Sequence, residues 1–134
     1  MKYTAAVITV SDMGSRGLRQ DTSGLAVRAM LEEAGFSVAH TAILPDEMEQ
    51  ISAELRDCAD RKRIDLIVTT GGTGLSPRDV TPEATRAVLE REIPAIPVAM
   101  WVEGLKVTPR AMLSRAVAGI RGCSLLLNLP GSEK

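Results

Sequence analysis

A single histidine, two cysteines and a net charge of −1 remove several chemistries from this 134-residue chain. His40 falls in an apolar, strand-like stretch with no ligand-spaced partner and reads as structural, which leaves a His-based acyl-transfer triad without its base. Cys58 and Cys123 lie outside any CxxC pair, so neither a zinc motif nor a redox motif is present. Both read as reduced, small apolar side chains of a cytoplasmic protein. No run reaches the ~18 apolar residues of a membrane helix. The opening MKYTAAVITVSD is too short in apolar length for a secretory signal. The near-neutral charge calls for neither nucleic acid nor an anionic membrane as partner. Any anionic ligand must therefore be held by local donors and a metal, not by a global positive field.

What the chain does have is an ordinary soluble composition, 45% hydrophobic and 25% charged. Its length suits one domain, residues 1–134, able to bury roughly two-thirds of its unfolded surface without staples. Apolar strand-like and amphipathic helix-like segments alternate. Strands are expected at Tyr3–Val10, Phe36–Leu44, Ile64–Thr69 and Ser124–Leu129. Between them the spacing predicts a helix over Ser23–Ala34, with Leu25, Ala26, Ala29, Met30 and Leu31 as its apolar residues and Gly35 ending it. Further helices are expected at Glu47–Arg61, at Pro82–Arg91 capped by Thr81, at Ile96–Leu105 and at Pro109–Ala118. This alternation implies an α/β fold of three layers, a mostly parallel sheet with helices on both faces. Ligands in such sheets bind at the carboxyl ends of strands. That places the chemistry in 10–21, 44–47, 70–79 and 129–134, segments rich in Gly, Pro, Ser, Thr and Asp.

The strongest motif is Thr69-Thr70-Gly71-Gly72-Thr73-Gly74. Its glycines let the backbone turn sharply and bring N–H groups close to an anion, and its threonines add hydroxyl donors. It lacks the lysine of GxxxxGK[ST] and does not fit GxGxxG. Asp79 follows five residues after Gly74, and Asp46 stands after the second strand. Carboxylates beside a phosphate loop repel phosphate unless Mg²⁺ lies between them, since that ion takes one or two carboxylates together with phosphate oxygens. An alternative for Asp46 is an ordinary helix N-cap. The first loop, Ser11 to Gly17 and then Asp21 to Gly24, offers hydroxyls, an arginine and a helix N-terminus. Thr108–Arg115 adds two arginines, for which a solvated basic helix face is the commoner outcome.

Taken together, TVSD at 9–12, DTSG at 21–24, LPDE at 44–47, TTGGTG at 69–74, RDVTPEAT at 78–85, TPRAMLSR at 108–115 and NLPGS at 128–132 resemble the MogA/MoaB family of molybdenum-cofactor biosynthesis proteins and the corresponding domain of gephyrin. The resemblance runs the whole chain in order. It implies transfer of AMP from Mg·ATP to the terminal phosphate of molybdopterin, giving adenylylated molybdopterin and pyrophosphate. It also implies a homotrimer, or in some members a hexamer. Asp46 and Asp79 would then be catalytic and hold Mg²⁺. Thr70, Gly71, Gly72, Thr73, Gly74, Ser11 and Asp12 would meet the nucleotide. Ser114, Arg115, Pro130, Gly131 and Ser132 would meet molybdopterin.

Three departures from the family pattern stand out. Relatives continue through another helix where this sequence reaches Lys134. Ala95, Val98 and Trp101 stand where the family carries Gly, Glu and Arg. Met13 and Leu18 are apolar in a loop usually charged. Met13, Leu18, Val98 and Trp101 joined in one patch would form an added protein–protein interface, natural or engineered. A family fold that has lost catalysis and serves binding or assembly is the alternative function.

Overall fold

The computed structural model describes residues 2–18 and 20–131. Six strands form one sheet: β1 (Thr4–Val10), β2 (Ser37–Leu44), β3 (Leu66–Thr70), β4 (Arg91–Glu92), β5 (Ala118–Arg121) and β6 (Ser124–Leu129), in the order β2-β1-β3-β6-β5-β4. The first four in that order are parallel, with Val7 opposite Thr41 and Val68, and Val68 opposite Leu127. β5 and β4 complete the sheet antiparallel. The helices are α1 (Asp12–Ser15), α2 (Thr22–Glu33), α3 (Met48–Arg56), α4 (Thr81–Arg86) and α5 (Ala95–Leu105). None is long and apolar enough to cross a membrane.

Alternation along the central strands sends their residues to opposite faces. Ala6, Ile8, Val10, Ile67 and Leu126 meet Ile51 and Leu55 of α3 and Ala84 of α4 in the main core. Thr9 faces the other side and donates to the carboxylate of Asp21, which caps α2 by accepting the Gly24 N–H. Gly24 is buried there because a Cβ would strike both Asp21 and Thr9. The buried and half-buried stripe of α2 runs through Gly24, Val27 and Leu31, whereas Leu25 and Met30 are 57% and 70% exposed. Both belong to the apolar set on which the helix is expected, yet they face solvent.

Three expected helices end differently. The segment begun at Pro82 stops at Arg86, and Arg91–Glu92 becomes an edge strand. The stretch from Pro109 is a 3-10 turn to Leu113, after which the chain extends into β5. The reason lies at Gly119, where β5 passes so close to Arg91 that a Cβ would strike its carbonyl oxygen. The helix expected to Arg61 is α-helical to Arg56 and then widens into a π turn, Asp57–Arg61.

Candidate active site

The chain leaves β1 toward β2 on one side and pairs β1 with β3 on the other, which opens a crevice beyond the ends of β1 and β3. A cavity of about 280 Å³ lies there. Four loops build it. The end of β1 contributes Ser11, whose hydroxyl accepts the Gly14 N–H and caps α1. The N-terminus of α2 contributes Asp21, Thr22 and Ser23. The β2–α3 turn contributes Asp46, and the loop after β3 contributes Thr70, Gly71, Gly72 and Asp79. Gly131 closes the rim beyond β6.

The glycine loop has a conformation only glycine tolerates well. Gly71 and Gly72 have φ of +99° and +70°. A Cβ on Gly71 would strike the Val10 carbonyl oxygen, and one on Gly72 would strike Thr81 Oγ1. The Gly71 N–H is held by Leu129 O at 3.1 Å. The N–H groups of Gly72, Thr73 and Gly74 make no hydrogen bond to the described residues. Thr81 Oγ1 is buried next to Gly72, without a partner among the described residues. Thr70 Oγ1 donates to Pro130 O at 3.1 Å, which ties the ends of β3 and β6 together.

Two reciprocal bonds set Asp46. Its N–H donates to Asp12 Oδ1 at 2.9 Å, and its Oδ2 accepts the Asp12 N–H at 3.1 Å. It does not cap α3: Glu47 holds the capping position, with no side-chain bond. Burial raises the Asp46 pKa above the usual carboxylate range; its accepted hydrogen bond opposes this, while the charges of Asp12 and Asp79 add to it. Asp12 shifts the other way, because Arg78 grips both of its oxygens at 2.9 and 3.1 Å. Arg78 also reaches Glu47. Asp79 accepts the Ser76 N–H at 2.9 Å.

The expected site residues divide by these positions. Asp46, Asp79, Ser11, Thr70, Gly71, Gly72 and Gly131 share the cavity. Asp12 and Pro130 bond Asp46 and Thr70 of its lining, and Thr73 and Gly74 continue the glycine loop beyond Gly72. Ser114 and Arg115 border a second cavity with Arg86, Trp101, Leu105, Met112 and Ala116. Arg115 turns inward there, donating to Gly74 O at 2.7 Å, Asp79 O at 2.6 Å and Glu83 at 2.6 Å. Its backbone N–H also bonds Thr73 O at 2.9 Å, so it clamps the whole glycine–Asp79 loop. Ser132 lies outside the described residues. Asp21 and Thr9 also reach the cavity; in the sequence their signal is membership of the DTSG and TVSD motifs.

Met13 and Leu18 are 44% and 64% exposed beside β1 and β2, at one edge of the sheet. Val98 is 47% exposed on α5, which follows β4 at the other edge, and Trp101 is half-buried with its indole N–H unpartnered. The four residues therefore belong to two separate surfaces.

Three carboxylates line the main cavity, and among the described residues no lysine or arginine does. Such a set of hard oxygen donors fits Mg²⁺, which would relieve the mutual repulsion that Asp46 feels.

Comparison with known proteins agrees with this architecture. The model of the probable molybdopterin binding domain matches residues 6–134. The molybdopterin biosynthesis enzyme MoaB from Thermus thermophilus superposes with a TM-score of 0.92 at 54% identity, over 97% of this chain and 82% of that one. The molybdopterin adenylyltransferase of Helicobacter pylori strain J99 is 42% identical over 130 residues, 96% of this chain and 74% of that protein. The Drosophila melanogaster molybdenum cofactor synthesis protein cinnamon is 46% identical over 135 residues, 98% of this chain but only 22% of its own length. The chain belongs to the molybdopterin-binding domain family of molybdenum cofactor biosynthesis.

Proposed function

We propose that this chain transfers AMP from ATP to the terminal phosphate of molybdopterin. The observation that carries the reading is the cavity itself: Asp46 and Asp79 face a glycine loop, at the carboxyl ends of β1 and β3, whose Gly72, Thr73 and Gly74 N–H groups bond none of the described residues. Relatives that share the chain's sequence at 40–46% identity include proteins named for this activity.

The nucleophile in this reaction is already an anionic phosphate oxygen. It attacks the α-phosphorus of ATP, the bond to the bridging oxygen breaks, and pyrophosphate leaves with the electron pair. Little proton transfer is needed, so a site without histidine suffices. Catalysis rests on in-line positioning and charge neutralisation. Asp46 and Asp79 would hold Mg²⁺, and bound there it would neutralise phosphate charge. Gly72, Thr73 and Gly74 present N–H donors to the nucleotide phosphates, and Ser11 borders the same space. Gly131, with Ser132 beyond it, meets molybdopterin. Arg115 acts as a positioning residue through the loop it clamps, and Arg78 does the same through Asp12. The active species is a homotrimer.

Pyrophosphate release by the purified chain with Mg·ATP tests this reading. Release that requires molybdopterin is expected. Its absence from folded protein would move the assignment to a binding or assembly role.

A further inference from the structure

The sequence spacing of His40, Glu54 and Cys58 suggests no metal site, yet the fold brings them together. His40 Nε2 lies 2.5 Å from Glu54 Oε1, and Cys58 Sγ lies 4.0 Å from the same oxygen. One ligand atom from each falls within 4.8 Å of the others. The three come from different local structures: β2, α3 and the π turn that follows α3. Glu54 and Cys58 are four residues apart and so share one helical face. A single-turn π widening of a helix is rare overall and is frequent at functional sites. None of the three lines the cavity that holds Asp46 and Asp79.

Access and chemistry both suit an ion. Cys58 is fully buried, while the side chains of His40 and Glu54 are each 23% exposed, which leaves an opening to solvent. The charged groups around Cys58 are Glu54, Asp57, Arg61 and Lys62. Arg61 and Lys62 are both paired with Asp57, so neither is free to neutralise Glu54. A nitrogen, an oxygen and a sulfur donor together do not suit Mg²⁺ or Ca²⁺, which take oxygen ligands. They suit zinc and its analogues.

We propose that His40, Glu54 and Cys58 form a binding site for a borderline-soft divalent cation such as Zn²⁺, with water completing a tetrahedron. Binding breaks the Sγ–H bond of Cys58, forms the Sγ–metal bond and releases the proton to solvent. The cation must displace that proton, so binding strengthens as pH rises. The site has a structural consequence. His40 and Glu54 stand on the two arms, β2 and α3, that are joined by the turn carrying Asp46. An ion between them would staple those arms.

The probe is Co²⁺ alone, titrated into the full chain carrying Cys123→Ser so that the exposed thiol is removed. One Co²⁺ per chain is expected, with a near-ultraviolet thiolate-to-cobalt absorption that Zn²⁺ abolishes. Cys58→Ala should lose that absorption. His40→Gln, at a partly buried side chain, should weaken binding while the circular dichroism stays the same. Saturating Co²⁺ with no thiolate absorption from the Cys123→Ser chain overturns the proposal. So does an absorption that survives both His40→Gln and Glu54→Gln, and the His40–Glu54 contact is then only a hydrogen bond.

Discussion

Asp79 and Asp46 share a cavity but should respond differently to the same change. Asp79 contributes its charge, and among the described residues the one bond of its carboxylate is an accepted N–H from Ser76. An amide oxygen can accept that bond equally well. Asp79→Asn should therefore keep the fold while slowing molybdopterin-dependent pyrophosphate release by about two orders of magnitude or more, the scale on which a lost electrostatic contact acts. Near-wild-type turnover at saturating Mg·ATP would remove Asp79 from the site. Asp46 also pays a stability cost for its charge. Its folded-state pKa is raised by burial and by its acidic neighbours, so the folded chain holds the proton more tightly than the unfolded chain does. Ionisation then subtracts stability: nothing is lost below the ordinary value of 3.8, and the loss is complete once pH passes the folded-state value. Without Mg²⁺, Asp46→Asn should melt with the wild type at acid pH and above it at neutral pH. Melting curves across pH in chelator test the sign. A variant that melts lower at neutral pH would show that the Asp12 contacts outweigh the buried charge.

At the scale of elements, the glycine loop can be separated into strain and collision. Gly17 and Gly72 have nearly the same positive φ, +72° and +70°. A Cβ on Gly17 meets nothing within 4 Å, whereas one on Gly72 strikes Thr81 Oγ1 and comes within 3.2 Å of Asp46 Oδ1. Gly17→Ala should cost about 1 kcal/mol from backbone strain alone. Gly72→Ala should cost clearly more in urea unfolding and should also depress activity through Asp46. Equal costs would mean that the loop yields freely. The same loop shows what the sequence could convey. Its glycines and flanking threonines announce a strand end that turns sharply, and the four parallel strands are legible as apolar runs, β-branched in β1, β2 and β3 and leucine-rich in β6. β4 and β5 are not legible, because a two-residue edge strand and a Gly-Ile-Arg strand carry no period. The clamp of Arg115 on Gly74 O and Asp79 O was hidden for another reason: it joins residues about forty positions apart, and a basic residue in a short turn more commonly faces solvent. The grip of Arg78 on Asp12 spans 66 positions and was equally invisible.

The whole molecule presents one face that its own core does not cover. Helix α5 buries only Pro97, and its one charged residue is Glu103. Val98, Val102 and Leu105, at successive helical spacing, are 47%, 53% and 46% exposed. Val107 follows at 71%. Helices with one apolar stripe normally bury it, and exposed apolar patches of this kind mark interfaces. The proposed trimer supplies an occupant, since identical chains can each cover part of a neighbour. Val98→Glu combined with Val102→Glu places two charges on that stripe and touches no residue of the catalytic cavity. Light scattering should then give a mass near 14.3 kDa in place of a multiple of it. The choice of residues matters, because Trp101 has a buried indole N–H and a charge there would disturb the chain itself. An unchanged assembly mass would separate α5 from the contact and direct attention to the other exposed pair, Met13 and Leu18. A monomer that still transfers AMP would show that one chain contains the whole active site, whereas a folded but inactive monomer would show that a neighbouring copy completes it.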